Sequence, residues 1–330
     1  MTDPDFEDLL PLLSVPAAAH DPGPAGVSRR RFLQGVLAST GALGLSGTRW
    51  ARDAFASPIG PTDGVLVMVM LGGGVDGLHA LAPISGADRT TYQSRRSGLA
   101  IPAGSLLPAA EGYGFHPNLA RLHARFEAGR VAVVRGVGQS TEDLSHFTSM
   151  ATFMAGTSGA SRSTGWLGRF LDGVSEFDSG MRGITFGSSV PLHLQGQQAK
   201  VTAVPYRGGM WGSDPSERWE RSAFAAVEAF ASAPTGLSTW GDRVAAAGKA
   251  AIGTAQTVEA LYHPEVTTEG LVRDLTLAAR LVNANLGARV ISVTLGGWDT
   301  HSNQLYDQGV LLEELDAGIE AFFTTLAPDY

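Results

Sequence analysis

At 330 residues the chain is long enough for one large domain or two small ones, burying roughly 75% of its unfolded surface. A formal net charge of -8 argues against nucleic acid as the main partner, because phosphate binding needs clustered Lys and Arg. Cysteine is absent, which excludes disulfides, thiolate catalysis and cysteine-ligated zinc or iron–sulfur centres. The 42 glycines, against a usual ~7%, point to many tight turns and close backbone approaches.

Residues 1–56 read as an address. Met1–Val27 is acidic and rich in Pro and Ala, a composition expected to stay disordered. Ser28–Gln34 (SRRRFLQ) resembles the twin-arginine export signal. The run from Gly35 to Gly47 is mildly apolar, too short and too polar for a stable membrane span of about 20 residues. Ala54-Phe55-Ala56 puts small residues where a signal peptidase reads, so the mature chain is expected to begin near Ser57. The competing reading is an amphipathic helix that happens to carry three arginines. The export reading makes the twin-arginine translocase a partner and the periplasm, cell surface or medium the destination. Because that route carries folded proteins, often with a cofactor, it favours a bound metal or organic group. Residues 57–330 are then expected to form a single domain.

Val65–Leu71 (VLVMVML) predicts a strand buried on both faces. Pro117–Gly129 predicts a helix with Leu119, Leu122 and Phe126 on one side, and Val131–Val134 a second buried strand. Short helices are expected over Ser145–Ala155 and Trp166–Leu171, and strands over Gly183–Gly187 and Lys200–Val204. Ser216 to Asn285 is mostly helical in pattern, its Ala-rich middle suiting a packed layer. Arg289–Leu295 predicts another central strand and Gln304–Leu326 a closing helix. Strands alternating with helices indicate an α/β sandwich with a largely parallel sheet.

Two of these strands end alike: VMLGGGVDG (69–77) and VTLGGWDTH (293–301) both run into glycines and then deliver an aspartate, Asp76 and Asp299. Ligands in open α/β sheets bind beyond the carboxyl ends of the strands, so parallel central strands would bring both carboxylates to one rim. His301 adds a nitrogen donor, and Asp76, Asp299 and His301 together suit zinc, manganese, magnesium or calcium. The alternative is that each aspartate caps its own turn. Gly72, Gly74 and Gly77 also satisfy a dinucleotide fingerprint, but Asp76 would oppose a pyrophosphate, and Pro83 and Gly86 interrupt the helix that should follow.

Gly136–Gly156 is rich in hydroxyls. Ser140, Thr141 and Ser145 are candidate nucleophiles at a loop-to-helix junction, with His146 beside them, where free helix amides would stabilise an anion. The same residue types are the commonest helix caps. His116 reads as a turn residue, and Trp166 and Trp298 as packing.

Taken together, LGGGVDGL (71–78), YGFHPNLARLHARFEAGRVAVVRGVG (113–138), LSHF (144–147), GWLGRFL (165–171) and LGGWDTHSNQ (295–304) resemble the domain-of-unknown-function 1501 family. These are secreted, usually twin-arginine-exported bacterial proteins related to the alkaline phosphatase/sulfatase superfamily. The resemblance implies an alkaline-phosphatase-like three-layer α/β/α sandwich with one or two divalent metals at the strand ends. It also implies a hydroxyl or modified cysteine at a helix start attacking phosphate or sulfate esters, with a small-molecule or glycan ester as substrate. On this chain Asp76 matches the first-strand metal ligand, and Asp299 with His301 the later pair. Ser140–His146 falls where the nucleophile belongs.

Two departures stand out. A modified cysteine is impossible, and the family usually continues into another strand with a second Asp-His motif where this sequence ends at Tyr330. The chain therefore reads as a truncated or degenerate member whose sheet is incomplete at the C-terminus, with an exposed edge. The other functional expectation is a non-catalytic exported binding or surface-assembly protein on the same fold.

Overall fold

Apolar residues fill all six positions of Leu66–Leu71 (β1), and in Val290–Leu295 (β7) only Ser292 and Thr294 break the run. The computed structural model describes residues 58–60, 63–139, 144–157, 163–177, 179–206, 218–231, 240–242, 244, 245, 248, 258, 260–262 and 265–328. Within it, β1 and β7 pair in parallel from Leu66↔Val290 to Leu71↔Leu295. Gly183–Phe186 (β5) and Val201–Val204 (β6) complete a four-stranded, all-parallel sheet of order β1-β7-β5-β6.

Side chains alternate across β7, as the period of two requires. Ile291, Val293 and Leu295 enter a large core with Gly270–Asn283 (α7), Gln304–Thr325 (α8) and Ala120–Glu127 (α3). Val290 enters a second, smaller core with Leu167 and Leu171 of Trp166–Asp172 (α5). Ser292 on that second side is fully buried, and its Oγ is 2.7 Å from His193 Nε2, so a polar pair sits among apolar neighbours. The chain is thus mixed α/β with a mostly parallel sheet.

Helix α8 organises the starts of two other helices. Asp316, 1% exposed, accepts from the backbone N–H of Arg121 (3.2 Å) and Leu122 (2.7 Å) at the head of α3. Glu314 accepts from Leu271 N at 2.8 Å at the head of α7. Helix N-termini present unpaired amides and a partial positive charge, so carboxylates from a third helix satisfy both ends at once.

Three features differ from expectation. β1 is an edge strand and only partly buried, whereas β7 is the central one. Val131–Val134 is not a strand: Val133 and Val134 are 41% and 79% exposed. β-propensity acts only where a neighbouring strand is available. Here the run is anchored by side chains, with Arg135 over the Tyr113 ring at 3.9 Å and paired with Glu111, and Gln139 donating to Ser149 O at 3.0 Å. Unanticipated elements follow β1: Gly77–Ala80 (α1), Gly86–Arg95 (α2), and a small antiparallel sheet of Leu81–Pro83 (β2), Leu107–Pro108 (β3) and Tyr113–Phe115 (β4), in the order β2-β4-β3.

The remaining expected elements are present: α3, His146–Ala155 (α4), α5, β5, β6, Arg218–Ala231 (α6), α7 and α8. The Ala-rich middle lies largely outside the described residues, as do the export segment, Ser140 and Thr141. No described helix is long and apolar enough to cross a membrane.

Burial pushes His193 down to about 4, and burial together with the neighbouring His79 does the same to His116, both from 6.5. The folded protein therefore keeps both imidazoles neutral where the unfolded chain binds protons. Their contribution to stability is complete above pH 6.5 and is lost as pH falls through 6.5 towards 4. The thermal midpoint should fall across that window. The double variant His116→Gln/His193→Gln, followed by circular dichroism, should show a flatter pH dependence whatever its stability at pH 8; an unchanged slope would assign the acid sensitivity elsewhere.

Candidate functional site

The carboxyl ends of β1 and β7 are adjacent because the strands are paired to their last residues, Leu71 and Leu295. Past that point the two loops stay in contact, with Trp298 N donating to Gly72 O at 3.3 Å. Gly73 has φ +120°, and a Cβ there would lie 2.8 Å from the Asp299 amide nitrogen, so the loops can cross only with glycine at this position. Trp298 is fully buried beneath the junction, its Nε1 donating to Leu295 O at 2.9 Å, which is the packing role expected of it. Trp166, by contrast, is 41% exposed.

The two echoing aspartates have different surroundings. Asp76 heads α1 and accepts from Leu78 N at 3.1 Å, the local cap. Its carboxylate also takes Arg96 Nη1 (3.1 Å), pairs with Arg96 Nη2, and accepts from Gln304 Nε2 at 2.6 Å. Asp76 N donates to Gln308 Oε1 (3.3 Å), and Gln308 Nε2 donates to Thr300 Oγ1 (3.1 Å). One turn of α8, carrying Gln304 and Gln308, thus ties the β1 loop to the β7 loop.

Asp299 faces solvent. Its Oδ1 lies 3.0 Å from His301 Nε2 and 3.4 Å from His146 Nε2, with side-chain exposures of 45%, 83% and 54% for Asp299, His301 and His146. Pairs this exposed contribute little to stability.

His146 comes from α4, which lies over the β1 turn: a Cβ on Gly74 would be 3.6 Å from the His146 ring, and one on Gly72 3.9 Å from Met150. Ser145 precedes it as the N-cap, its Oγ accepting from Thr148 N at 3.4 Å. Leu144 and Phe147, on either side, are 98% and 89% exposed. His116 stands apart as the expected turn residue, its Nδ1 accepting from Asn118 N at 3.1 Å.

The structure therefore brings together Asp299, His301 and His146, and gives Asp76 a separate set of partners. Among the described residues, no three of His, Cys, Asp and Glu are placed to hold a metal ion. The donors around Asp299 suit a divalent cation in kind, but they do not close a cage. Arg96, Gln304 and Gln308 were not singled out from the sequence. Arg96 is one of two successive arginines at the end of α2, and nothing in that local pattern marks its partner 20 positions earlier. Gln304 and Gln308 share an i, i+4 face, a pattern that becomes informative only once the helix is known to start at the rim.

The family model described as "Protein of unknown function (DUF1501)" matches residues 125–329, more than half of the chain, and the chain belongs to that family. The match includes His146, Asp299 and His301 and begins after Asp76 and Arg96. No curated protein and no solved structure matches the chain.

Two substitutions test this geometry. Gly73→Ala should lower stability by more than about 1 kcal/mol through its positive φ and its approach to the Asp299 amide; an unchanged denaturant midpoint would mean the loops part freely. Ser145→Ala should cost about 1 kcal/mol as a lost cap, with Ser145→Asp retaining most of it. Equal losses in both would remove the cap assignment.

Proposed function

We propose that this chain is an exported hydrolase-like protein of the alkaline phosphatase/sulfatase type. It acts on phosphate or sulfate esters at the rim where β1 and β7 end. One observation carries the reading: two paired parallel strands each run through glycines to an aspartate, and Asp299 gathers two imidazoles from separate elements. The resemblance of the family motifs to that superfamily supplies the substrate class. The three-layer α/β/α arrangement is supported by the two cores associated with the sheet.

In this reading Asp299, with His301 and His146 beside it, would contribute donors of the right kind to a divalent cation without closing a cage among the described residues, and such a cation would acidify a bound water and neutralise charge on the ester group. The nucleophile comes from Ser140, Thr141 or Ser145, at or before the start of α4. Ser28–Gln34 directs the protein to the twin-arginine translocase and out of the cytoplasm.

A second reading is favoured by one observation: the Asp76 carboxylate is fully engaged by protein donors. On that account the fold serves a non-catalytic binding or surface-assembly role.

The test uses protein purified from its own host. Elemental analysis of the parent is compared with an Asp299→Ala/His301→Ala variant, and both are assayed against aryl phosphates and sulfates. Stoichiometric metal in the parent, lost together with ester cleavage in the variant, is the expected result. Metal-replete protein that cleaves no ester would overturn the hydrolase reading and leave the binding role.

A further inference from the structure

Two arginines on one face of α2, about two turns apart, are held in opposite ways. Arg96 follows the last residue of the helix and pairs with the Asp76 carboxylate. Arg89 closes the first turn and is only 7% exposed, yet among the described residues no carboxylate pairs with it. Its Nη1 donates to Pro83 O at 3.3 Å, and its guanidinium carbon lies 5.3 Å from the centre of the Tyr92 ring. Its Nε is buried with no hydrogen-bond partner among the described residues. Tyr92 is itself fixed, its hydroxyl accepting from Ile101 N at 3.1 Å.

A guanidinium taken out of water needs a counter-charge and a full set of acceptors. One neutral carbonyl and one aromatic face fall short of that. The bond to Pro83, two residues before the N-cap Ser85, places the guanidinium beside the chain that enters the helix. Ser85 makes no side-chain cap bond, so the orphan amides of the first turn are not taken by their usual acceptor. Ser85, Gly86, Ala87 and Asp88 are exposed, which leaves the head of the helix open to a ligand. The acid of that turn, Asp88, accepts from the Tyr113 hydroxyl at 2.9 Å, and Arg135, over the Tyr113 ring, is paired with Glu111. Arg89 thus brings to the head of α2 a positive charge that no described carboxylate takes up.

We propose that the head of α2 is an oxyanion site, with Arg89 supplying the charge and the first-turn amides further donors. The ligand is a phosphate or sulfate group, free or carried at the end of a larger molecule. With Nη1 tied to Pro83, Nε and Nη2 remain as a fork, which a tetrahedral oxyanion accepts in two parallel bonds. The positive end of the helix dipole adds to the attraction, and Asp88 weakens it. The inference goes beyond the hydrolase reading, since it requires neither a cation nor ester cleavage.

The experiment is isothermal titration calorimetry of the full chain with inorganic sulfate and inorganic phosphate, chloride holding the ionic strength constant. The parent should bind stoichiometrically, and Arg89→Gln should weaken binding about tenfold, the loss of a charge-assisted hydrogen-bonded contact. Arg95→Gln, which removes the same charge from an exposed position of the same helix, should leave the affinity unchanged. Asp88→Asn should tighten it. Arg89→Lys, which keeps the charge but not the fork, should fall between and covers the case in which Arg89→Gln fails to fold. Phenyl phosphate separates the two sources of the group: an affinity like that of phosphate assigns the site to a larger molecule, and no binding assigns it to the free ion. Parent protein that is folded by circular dichroism and binds neither sulfate nor phosphate overturns the proposal. Equal binding by the parent and both Arg89 variants also overturns it and leaves Arg89 as packing against Tyr92. Equal weakening by Arg95→Gln does the same, since the attraction would then be one of general charge. Metal content and ester cleavage do not enter the readout, so failure of the hydrolase reading leaves this result standing.

Discussion

The parallel pairing of β1 with β7 is the constraint on which the rest of the rim depends. It joins residues from opposite ends of the described chain, and its register makes both strands stop level at Leu71 and Leu295. Glycine then allows one loop to pass against the backbone of the other, at a distance no side chain would permit. The polar contacts that cross the rim follow from that approach. Gln308 can bridge the Asp76 amide and Thr300 only because the two loops are held against each other and α8 begins beside them. Helix α8 is in turn fixed by carboxylates that cap α3 and α7, so the rim is tied to the core through a single long helix.

Two aspartates with nearly the same local sequence end in opposite electrostatic situations. Asp76 is covered and neutralised by a guanidinium, an amide side chain and a backbone amide. Asp299 is open, with two imidazoles on one oxygen. What separates them is what packs over each turn. The chain after β1 folds back through α2 and delivers Arg96, whereas the chain after β7 runs on into α8 and leaves Asp299 facing water. The resemblance between the two strand ends is therefore local, and their chemistry is set by what arrives from elsewhere.

The long periodic elements were legible in the sequence because a central strand and an amphipathic helix have patterns that tertiary context seldom overrides. β7, α3, α7 and α8 are examples, and the echo at 69–77 and 293–301 pointed to two strands that do pair in parallel and end level. Val131–Val134 carried an equally good strand pattern, yet it lies exposed, since pairing depends on a neighbour that no local pattern names. The small antiparallel sheet escaped notice because its strands are two or three residues long and include Pro83 and Pro108. The partners of Asp76 were hidden for a further reason. Arg96 and Gln304 lie 20 and 228 positions away, and nothing about an arginine at a helix end or a glutamine at a helix start declares such a contact.

The sheet also has a timetable. Leu66 pairs with Val290, 224 positions later. At roughly 5–20 residues per second, a growing chain would carry β1 for on the order of ten to forty-five seconds before its neighbour was made. Through that interval the apolar run LVMVML lacks the strand that pairs with it in the folded protein. Asp76 and Arg96, only 20 positions apart, can meet early. The half of the rim that comes from β1 can thus be charge-balanced and locally folded while the Asp299 half does not yet exist. The half of the rim that carries Asp299 is then synthesised well after the half it meets.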